Sequence, residues 1–337
     1  MKYLFFGIYK SLIVSILLVI LGLSACQKSP KIVVPMESKR ASFLAGIDTS
    51  CEIGYWVLNL EAAAGLGVKA SDYAFLDGFL EEISGEPLLQ AQSSYTREEA
   101  LTRLRSIGAA IGRRRVQQLS YHNNFSMCLR YKMFDCDINS LLFVSAAERL
   151  GLPIVVLAMP NHVSVLWDDG EQKIYWETTE NKERSLDFYC RHYHIKAEEV
   201  GKSMLLEALK REQLIGLAFF NISKSYCEMK NYAYGLKFSE ASLFFSHNWF
   251  EPYKNIAYIY QQLRQPQAAL DYAQQALRLY PQSLETYAII ADAYSQMGCN
   301  TEAIQAYRQY LNRLPASAYN YTAMLEDIKG QIKLLDL

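Results

Sequence analysis

The chain has 337 residues, of which 51 % are hydrophobic and 20 % are charged, a composition that fits a folded body of two or three domains. Removing residues 1 to 25 takes away two lysines and no acidic residue, which leaves 32 basic and 35 acidic residues and a formal charge of −3. This balance excludes the strongly basic surface that nucleic-acid binding requires, so we expect no nucleic-acid partner.

The first 25 residues predict a bacterial lipoprotein signal peptide. Lys2 and Lys10 carry positive charge without a nearby acid, and residues 11 to 21 form a short apolar core. Residues 23 to 26 read Leu-Ser-Ala-Cys, which matches a lipobox. Because the apolar core is too short to span a membrane, we expect this segment to be a removable signal.

Lipidation is expected at Cys26, which would become the acylated first residue of the mature protein. Several acyl chains anchor a protein firmly where one does not. Gln27, unlike an aspartate, gives no signal for retention in the inner membrane, so we expect an outer-membrane protein that faces the periplasm. A plain secretory signal with an incidental cysteine is the alternative. Residues 26 to 42 predict a flexible tether.

Residues 43 to 130 show mainly helical patterns. Residues 73 to 83 form an amphipathic stretch, and the sequence from Thr96 to Glu99 predicts a helix start. We expect these helices to pack against the segment that follows.

A cysteine begins the next predicted helix. Residues 137 to 150 carry apolar side chains in every direction, which predicts a buried helix. Cys136 therefore lies beside free backbone N–H groups at the positive end of the helix dipole, which favours the thiolate. Asp135 and Asp137 act in the opposite direction, because neighbouring carboxylates disfavour a second negative charge.

A predicted hairpin brings an imidazole and a carboxylate together. Residues 162 to 167 alternate as a strand and lead to the turn residues Asp169 and Gly170. A two-residue type I′ loop at this turn sets His162 directly opposite Glu177, with Cβ atoms roughly 5 Å apart.

The order of these residues resembles the transglutaminase-like cysteine peptidase superfamily over about residues 125 to 180. The matching residues are Cys136, Leu150 to Pro153, Pro160 to His162, and Trp176 to Thr179. The resemblance implies an α+β fold over residues 43 to 200, with a papain-like core behind a helical N-terminal part. It also implies that Cys136 is the nucleophile, His162 the base and Glu177 the orienting acid.

The implied activity is a thiol-dependent acyl transfer that needs no cofactor and no metal. Water as acceptor gives hydrolysis, whereas an amine gives cross-linking. We favour hydrolysis by a cysteine protease or amidase that acts on a peptide or protein in the periplasm, because water is abundant and the sequence shows no amine-binding pocket. The alternative is a scaffold in which a degenerate domain of this fold has lost turnover.

A second group of residues could bind a metal in one conformation only. Cys190, His192 and His194 alternate, so on a strand they would share one face and suit zinc. A helix would scatter them, and no fourth ligand lies nearby, so we assign no metal site.

The C-terminal third repeats every 34 residues. The repeated positions include Ser223, Ala257 and Ala291, then Tyr226, Tyr260 and Tyr294. This period is typical of tetratricopeptide repeats and predicts units at 216–249, 250–283 and 284–317 within a region from 201 to 317, followed by a capping helix at 318–337. Such an array suits binding of a peptide or protein, as substrate or as envelope partner, although it could instead brace the neighbouring domain.

Overall fold

A computed structural model describes residues 51–116, 124–314 and 322–335 of the chain. The predicted signal peptide at 1–25 and tether at 26–42 lie outside the described residues. Within the described ranges, no helix is both long enough and apolar enough to cross a membrane.

Helices form the first part of the described chain. They are α1 (Ile53–Ala63), α2 (Ala70–Ser84), α3 (Arg97–Arg114), α4 (Phe125–Tyr131) and α5 (Cys136–Leu150), with a 3-10 helix at Pro87–Leu89. The predicted start at Thr96 is confirmed: its hydroxyl accepts the backbone N–H of Glu99 at 3.3 Å, and the Glu99 carboxylate accepts the N–H of Thr96 at 2.8 Å. This reciprocal pair satisfies donors that a helix start leaves unpaired.

Helix α5 is the centre of this part. Its side chains are buried all around the helix, and Leu142 is fully buried, as the apolar pattern predicts. The Asp135 carboxylate caps the first turn by accepting the N–H of Ile138 at 3.2 Å, and Gly151 ends the helix with a φ of 69°. Helices α1, α2 and α3 and the first two strands pack against α5, so the helix start is held from several sides.

The sheet is antiparallel and has its strands in chain order. The strands are β1 (Ile154–Met159), β2 (His162–Asp168), β3 (Lys173–Glu177) and β4 (Lys182–Arg184). Met159 pairs with His162 across a two-residue turn at Pro160 and Asn161. Asn161 has a φ of 55°, and proline followed by a residue of positive φ is the combination that type II turns use.

The loop between β2 and β3 is longer than predicted. Asp168 lies opposite Lys173, so the prediction of a two-residue loop at Asp169 and Gly170 is wrong. The loop has this length because the Asp169 carboxylate accepts the N–H groups of Glu171 and Gln172, at 3.1 and 2.9 Å. An aspartate that bonds backbone groups two and three residues ahead stabilises a wider turn.

The register is therefore shifted by two residues from the predicted one. Val165 lies opposite Trp176, and His162 is not directly opposite Glu177. Because side chains alternate with a period of two, a two-residue shift leaves each one on its predicted face. His162 and Glu177 are consequently diagonal neighbours on one face of the sheet.

The segment after the sheet is helical. It contains α6 (Leu186–His192) and a 3-10 helix at Ala197–Glu199. Cys190 and His192 lie within α6, and His194 follows it with a φ of 53°, so the three do not alternate along a strand. Among the described residues, no three Cys, His, Asp or Glu side chains are grouped as a metal site.

Paired helices form the C-terminal part. The pairs are α7 (Arg211–Glu228) with α8 (Tyr232–Phe245), α9 (Phe250–Gln262) with α10 (Pro266–Leu279) and α11 (Leu284–Gln296) with α12 (Asn300–Arg313), followed by α13 (Thr322–Leu335). The small residues of the repeated positions are fully buried: Ala257, Ala269, Ala291 and Ala303. At the equivalent position of the first pair, a Cβ on Gly235 would lie 2.8 Å from the Cys227 sulfur, so the helices need a residue without a side chain there.

The first repeat pair shares a hydrophobic core with the sheet and the N-terminal helices. Phe219 and Phe245 of this pair belong to the same buried cluster as Trp167 of β2, and so does Tyr280 at the end of the second unit. Other residues of the second unit and those of the third unit form a second cluster. The Tyr226 hydroxyl also donates to the carbonyl of Ala64, just beyond α1. The repeats are thus continuous with the sheet, and their first pair helps to form the region around α5 and β2.

Candidate active site

The structure brings His162 and Glu177 into direct contact. Nε2 of His162 lies 2.9 Å from Oε2 of Glu177, and both side chains are largely buried, with exposed fractions of 14 % and 7 %. The prediction that these two residues meet is correct, although they meet diagonally. A buried carboxylate on one ring nitrogen fixes the ring orientation and holds a proton on that nitrogen.

Glu177 is held by further donors. Its Oε1 accepts the backbone N–H of Thr179 at 3.1 Å and the Thr179 hydroxyl at 2.6 Å, and the Tyr189 hydroxyl donates to Oε2 at 3.3 Å. Burial raises the pKa of Glu177, but the hydrogen bond and charge of His162 and the donors of Thr179 outweigh it, so the pKa is lowered. Glu177 is therefore ionised and can stabilise an imidazolium.

Two tyrosines of the segment around α6 support this pair and were not predicted as site residues. The Tyr193 ring stacks on the His162 ring, with centroids 5.4 Å apart and an interplanar angle of 15°. Tyr189 stacks on Tyr193 at 6.4 Å, and its hydroxyl lies 3.0 Å from Oγ of Ser164. Tyr189 and Tyr193 are four residues apart, a spacing that places two side chains on the same face of a helix. This spacing predicts their contact only if the segment is taken to be helical.

Cys136 lies at the start of α5, next to the strand that carries His162. The Cys136 thiol donates to Oδ1 of the adjacent Asp137 at 4.0 Å. The backbone N–H of Val163, the residue after His162, lowers the pKa of this thiol, and Cys136 in turn helps to raise the pKa of Tyr193, whose ring stacks on His162. Because α5 also packs against β2, Cys136 and His162 lie in the same region of the fold.

The electrostatic environment keeps the resting Cys136 thiol protonated. Burial raises the pKa of this thiol well above its ordinary value, and the carboxylates of Asp137 and Asp135 add to the effect. The N–H of Val163 and the charge of Lys224 act against it without reversing it. The sequence left the protonation state of Cys136 open between the helix start and its two acidic neighbours, and in the structure burial and those neighbours determine the direction.

A cavity of about 200 Å³ lies between the sheet and the repeats. One side includes Asp137, His162 and Val163. The opposite side is formed by α7, which includes Lys224, by Trp249, which caps the start of α9, and by α9 itself. The repeats thus provide the wall of this cavity that faces His162, and Cys136 is not among the described residues that line it.

The hairpin turn that precedes His162 is bound by the repeats. The N–H of Asn161 donates to Oε1 of Glu251 at 3.0 Å, and its side-chain amide donates to Oε1 of Glu285 at 3.3 Å. Nζ of Lys254 donates to Oδ1 of Asn161 at 2.9 Å. Helices α9 and α11, the first helices of two successive units, therefore fix the turn, which fits the bracing role that the sequence left open.

A buried ion pair lies at the base of this contact. Nζ of Lys254 is 2.7 Å from Oε2 of Glu251, and the exposed fractions of the two side chains are 13 % and 3 %. Burial lowers the pKa of Lys254, but Glu251 and Glu285 raise it by more, so the pKa is raised overall. We name Asn161, Glu251, Lys254 and Glu285 the hairpin clamp. Asn161 precedes the other three residues by 90 or more positions, and no sequence pattern predicts that it contacts them.

Comparison with known proteins identifies the repeats. A tetratricopeptide repeat model matches residues 251–283 and 284–315, which are the second and third predicted units. Tetratricopeptide repeats generally mediate contacts between proteins, which agrees with a protein partner. A search of the curated proteins finds no match to the chain. The described residues thus form a mixed helical fold with a small antiparallel sheet, followed by a C-terminal region with tetratricopeptide repeats.

Proposed function

We propose that the chain is a thiol-dependent hydrolase of the transglutaminase-like type, a cysteine protease or amidase that acts on a peptide or protein. The observation that carries this proposal is the 2.9 Å contact between His162 and the buried carboxylate of Glu177, on a strand that packs against the helix that begins at Cys136. A thiol, an imidazole and an orienting carboxylate are the groups that nucleophilic catalysis by cysteine requires.

The contact assigns a role to each ring nitrogen. Because Glu177 accepts from Nε2, the neutral His162 ring presents Nδ1 as its acceptor. In the proposed first step, Nδ1 takes the thiol proton of Cys136 as the sulfur bonds to the carbonyl carbon of the substrate. The raised pKa of the thiol means that the thiolate forms only as this proton moves.

The remaining steps return each proton. The C–N bond of the substrate breaks, and the amine leaves with the proton from Nδ1 of His162, which leaves a thioester on Cys136. Water then attacks the thioester and gives a proton to Nδ1, and the carboxylic acid departs as the sulfur recovers that proton. Glu177 stabilises the imidazolium in both halves of the reaction.

An activated ester tests this proposal without knowledge of the natural substrate. Full-length protein in detergent is mixed with p-nitrophenyl acetate, and acetylation of Cys136 is followed by mass spectrometry of its peptide. We expect an acetyl group that appears on Cys136 and then disappears, with no release of nitrophenol above background in Cys136→Ala. Glu177→Gln should slow turnover by about two to four orders of magnitude, because it loses the charge that stabilises the imidazolium. A folded protein whose Cys136 stays unmodified would rule out the hydrolase.

A non-enzymatic scaffold is the second candidate, and the raised pKa of Cys136 favours it. In this proposal the sheet domain has lost turnover, and the repeats recruit another envelope protein. The scaffold requires that Cys136→Ala capture the same partner from the envelope as the wild type while the acetylation assay stays negative.

We also propose that Cys26 is lipidated and tethers the protein to the outer membrane, facing the periplasm. The Leu-Ser-Ala-Cys sequence that ends at Cys26 supports this location. Labelling of cells with a clickable palmitate analogue should mark the wild type in the outer-membrane fraction and leave Cys26→Ala unlabelled. Equal labelling of both would refute lipidation at this residue.

A further inference from the structure

One face of helix α7, in the first repeat pair, points into the cavity beside His162. Leu217, Phe220, Asn221 and Lys224 line the cavity, and their spacing of three, four and seven residues places them on a single helix face. The first two give the cavity an apolar floor. The other two bring polar groups to the wall that faces Asp137 and His162.

Asn221 has an unused hydrogen-bonding group at this wall. The residue is only 6 % exposed, and its Oδ1 has no hydrogen-bond partner in the part of the chain that the structure describes. Leaving a buried amide oxygen unpaired is unfavourable, so the position of this oxygen beside a cavity points to a ligand. A ligand with an N–H donor would satisfy it.

Lys224 supplies a cation with no carboxylate partner. Among the described residues, no carboxylate oxygen lies within 4.0 Å of its Nζ, whereas the other lysine of the cavity, Lys254, is paired with Glu251. Lys224 is also near the reactive sulfur, since its charge lowers the pKa of Cys136 against the larger opposing effects. Its Nζ lies 5.7 Å from the centroid of the Phe220 ring, and an ammonium group without a carboxylate partner in a small cavity suits an anionic group of a ligand.

We propose that α7 is the substrate-binding wall of the site, where Lys224 binds a carboxylate and Asn221 accepts the N–H of an adjacent amide. The substrate class is therefore a peptide that carries a carboxylate close to the amide bond that is attacked. This inference deepens the proposed hydrolase and takes Cys136 as its reacting group. It gives the first repeat a direct role in specificity, beyond the bracing role of the hairpin clamp.

Two alkylating reagents of nearly equal size test the role of Lys224. Iodoacetate carries a carboxylate and iodoacetamide is neutral, and both react with the thiolate, so the ratio of their rates at Cys136 cancels any change in the pKa of the thiol. Full-length protein is treated with each reagent, and modified Cys136 is quantified by mass spectrometry. In Lys224→Met the ratio of iodoacetate to iodoacetamide rates should fall at least about tenfold, the effect of one charge-assisted hydrogen bond.

Matched variants make this result specific. Lys224→Arg should keep most of the ratio, and Lys237→Met, which removes an exposed lysine of the same repeat pair, should leave it unchanged. If Lys224 acts only by neutralising Asp135 and Asp137, the ratio falls in Lys224→Met through repulsion of iodoacetate alone, and that fall will disappear at about 1 M salt. A fall that salt abolishes overturns the proposal. Absence of alkylation of Cys136 by either reagent also overturns it, because a ligand in the cavity would then not reach the sulfur.

A pair of small amides tests Asn221. N-acetylglycine carries a carboxylate and an amide N–H, whereas N-acetylsarcosine has a methyl group in place of that hydrogen. The first should protect Cys136 from iodoacetamide at a severalfold lower concentration than the second, and Asn221→Leu should abolish the difference. Equal protection in the wild type would exclude Asn221 as the acceptor. Alkylation needs no turnover, so these experiments are independent of the acetylation assay. A protein that binds carboxylates but never hydrolyses the ester would support the binding role of α7 and refute the proposed hydrolase.

Discussion

Replacing Lys254 by methionine should destabilise the folded protein by about 3 kcal/mol. The change removes the partner of Glu251, whose side chain is 3 % exposed and whose Oε2 lies 2.7 Å from Nζ. Loss of one member of a buried ion pair costs roughly 3 to 5 kcal/mol, because the other charge stays buried without compensation. We take the lower end, since Glu251 still accepts the N–H of Asn161 at 3.0 Å.

Urea unfolding followed by circular dichroism measures this loss. With a slope of about 3 kcal/mol per molar urea for a chain of this size, the midpoint should fall by about 1 M. Lys329→Met is the matched control, because Lys329 forms a pair of the same three-residue spacing with Glu326, but with exposed fractions of 59 % and 68 %. An exposed pair of this kind contributes at most about 0.5 kcal/mol, so the control midpoint should hardly move.

A double variant separates the unpaired charge from general damage to packing. In Lys254→Met combined with Glu251→Gln no buried charge remains, and the glutamine oxygen can still accept the N–H of Asn161. The double variant should be more stable than Lys254→Met alone by about 2 kcal/mol. If Lys254→Met and Lys329→Met shift the midpoint equally, or if the double variant is the less stable one, the hairpin clamp does not contribute as argued.

Two further predictions concern the N-terminal helices. Gly108→Ala should destabilise the protein by about 2 kcal/mol in the same unfolding assay, because a Cβ there would lie 1.7 Å from Oδ1 of Asn181 and would displace a side chain with two hydrogen bonds. In Gly112→Ala the added Cβ meets no atom within 4 Å, so this change should stabilise the protein by about 0.5 to 1 kcal/mol. Equal effects of the two changes would contradict the packing argument. Burial raises the pKa of Glu61 from 4.5 to about 7, so the folded state holds this proton more tightly than the unfolded chain, and stability should fall by about 3 kcal/mol as pH rises between these values. The urea midpoint measured across this range should fall less in Glu61→Gln than in the wild type, by the amount that about 3 kcal/mol represents. Asp135, whose pKa burial raises to about 6, contributes a fall of its own in both proteins, and identical profiles would show that Glu61 does not titrate here.

Much of the fold is predictable because local patterns determine it. The all-round apolar pattern after Cys136 identifies a buried helix, and the 34-residue period identifies the repeats. The alternation of residues in β2 and β3 assigns His162 and Glu177 to one face even though the loop length, and with it the register, was wrong. A face depends only on whether a position is odd or even, whereas a register depends on the detailed hydrogen bonding of one turn.

The pKa values of the site residues and the contacts between distant parts of the chain are harder to predict from the sequence. The acidity of the Cys136 thiol depends on how deeply the start of α5 is buried, and helix position alone predicts the wrong direction. The contact of Asn161 with Glu251 joins positions 90 residues apart through two surfaces that meet only in the folded chain. The role of Tyr193 was not predicted for a different reason. It depends on the helical conformation of a segment whose sequence also fits a strand.

The position of the hairpin clamp in the chain has a consequence for biosynthesis. The turn at Asn161 is fixed by Glu251 and Glu285, which follow it by 90 and 124 residues. A polypeptide is made from its N-terminus, so the early part of this one folds while those anchors have yet to be added. The nascent chain cannot complete the wall beside His162 until three quarters of its length has emerged. A product clipped or terminated before α9 would therefore retain Cys136, His162 and Glu177 and yet lack a finished pocket, which delays any reactivity until translation is nearly over.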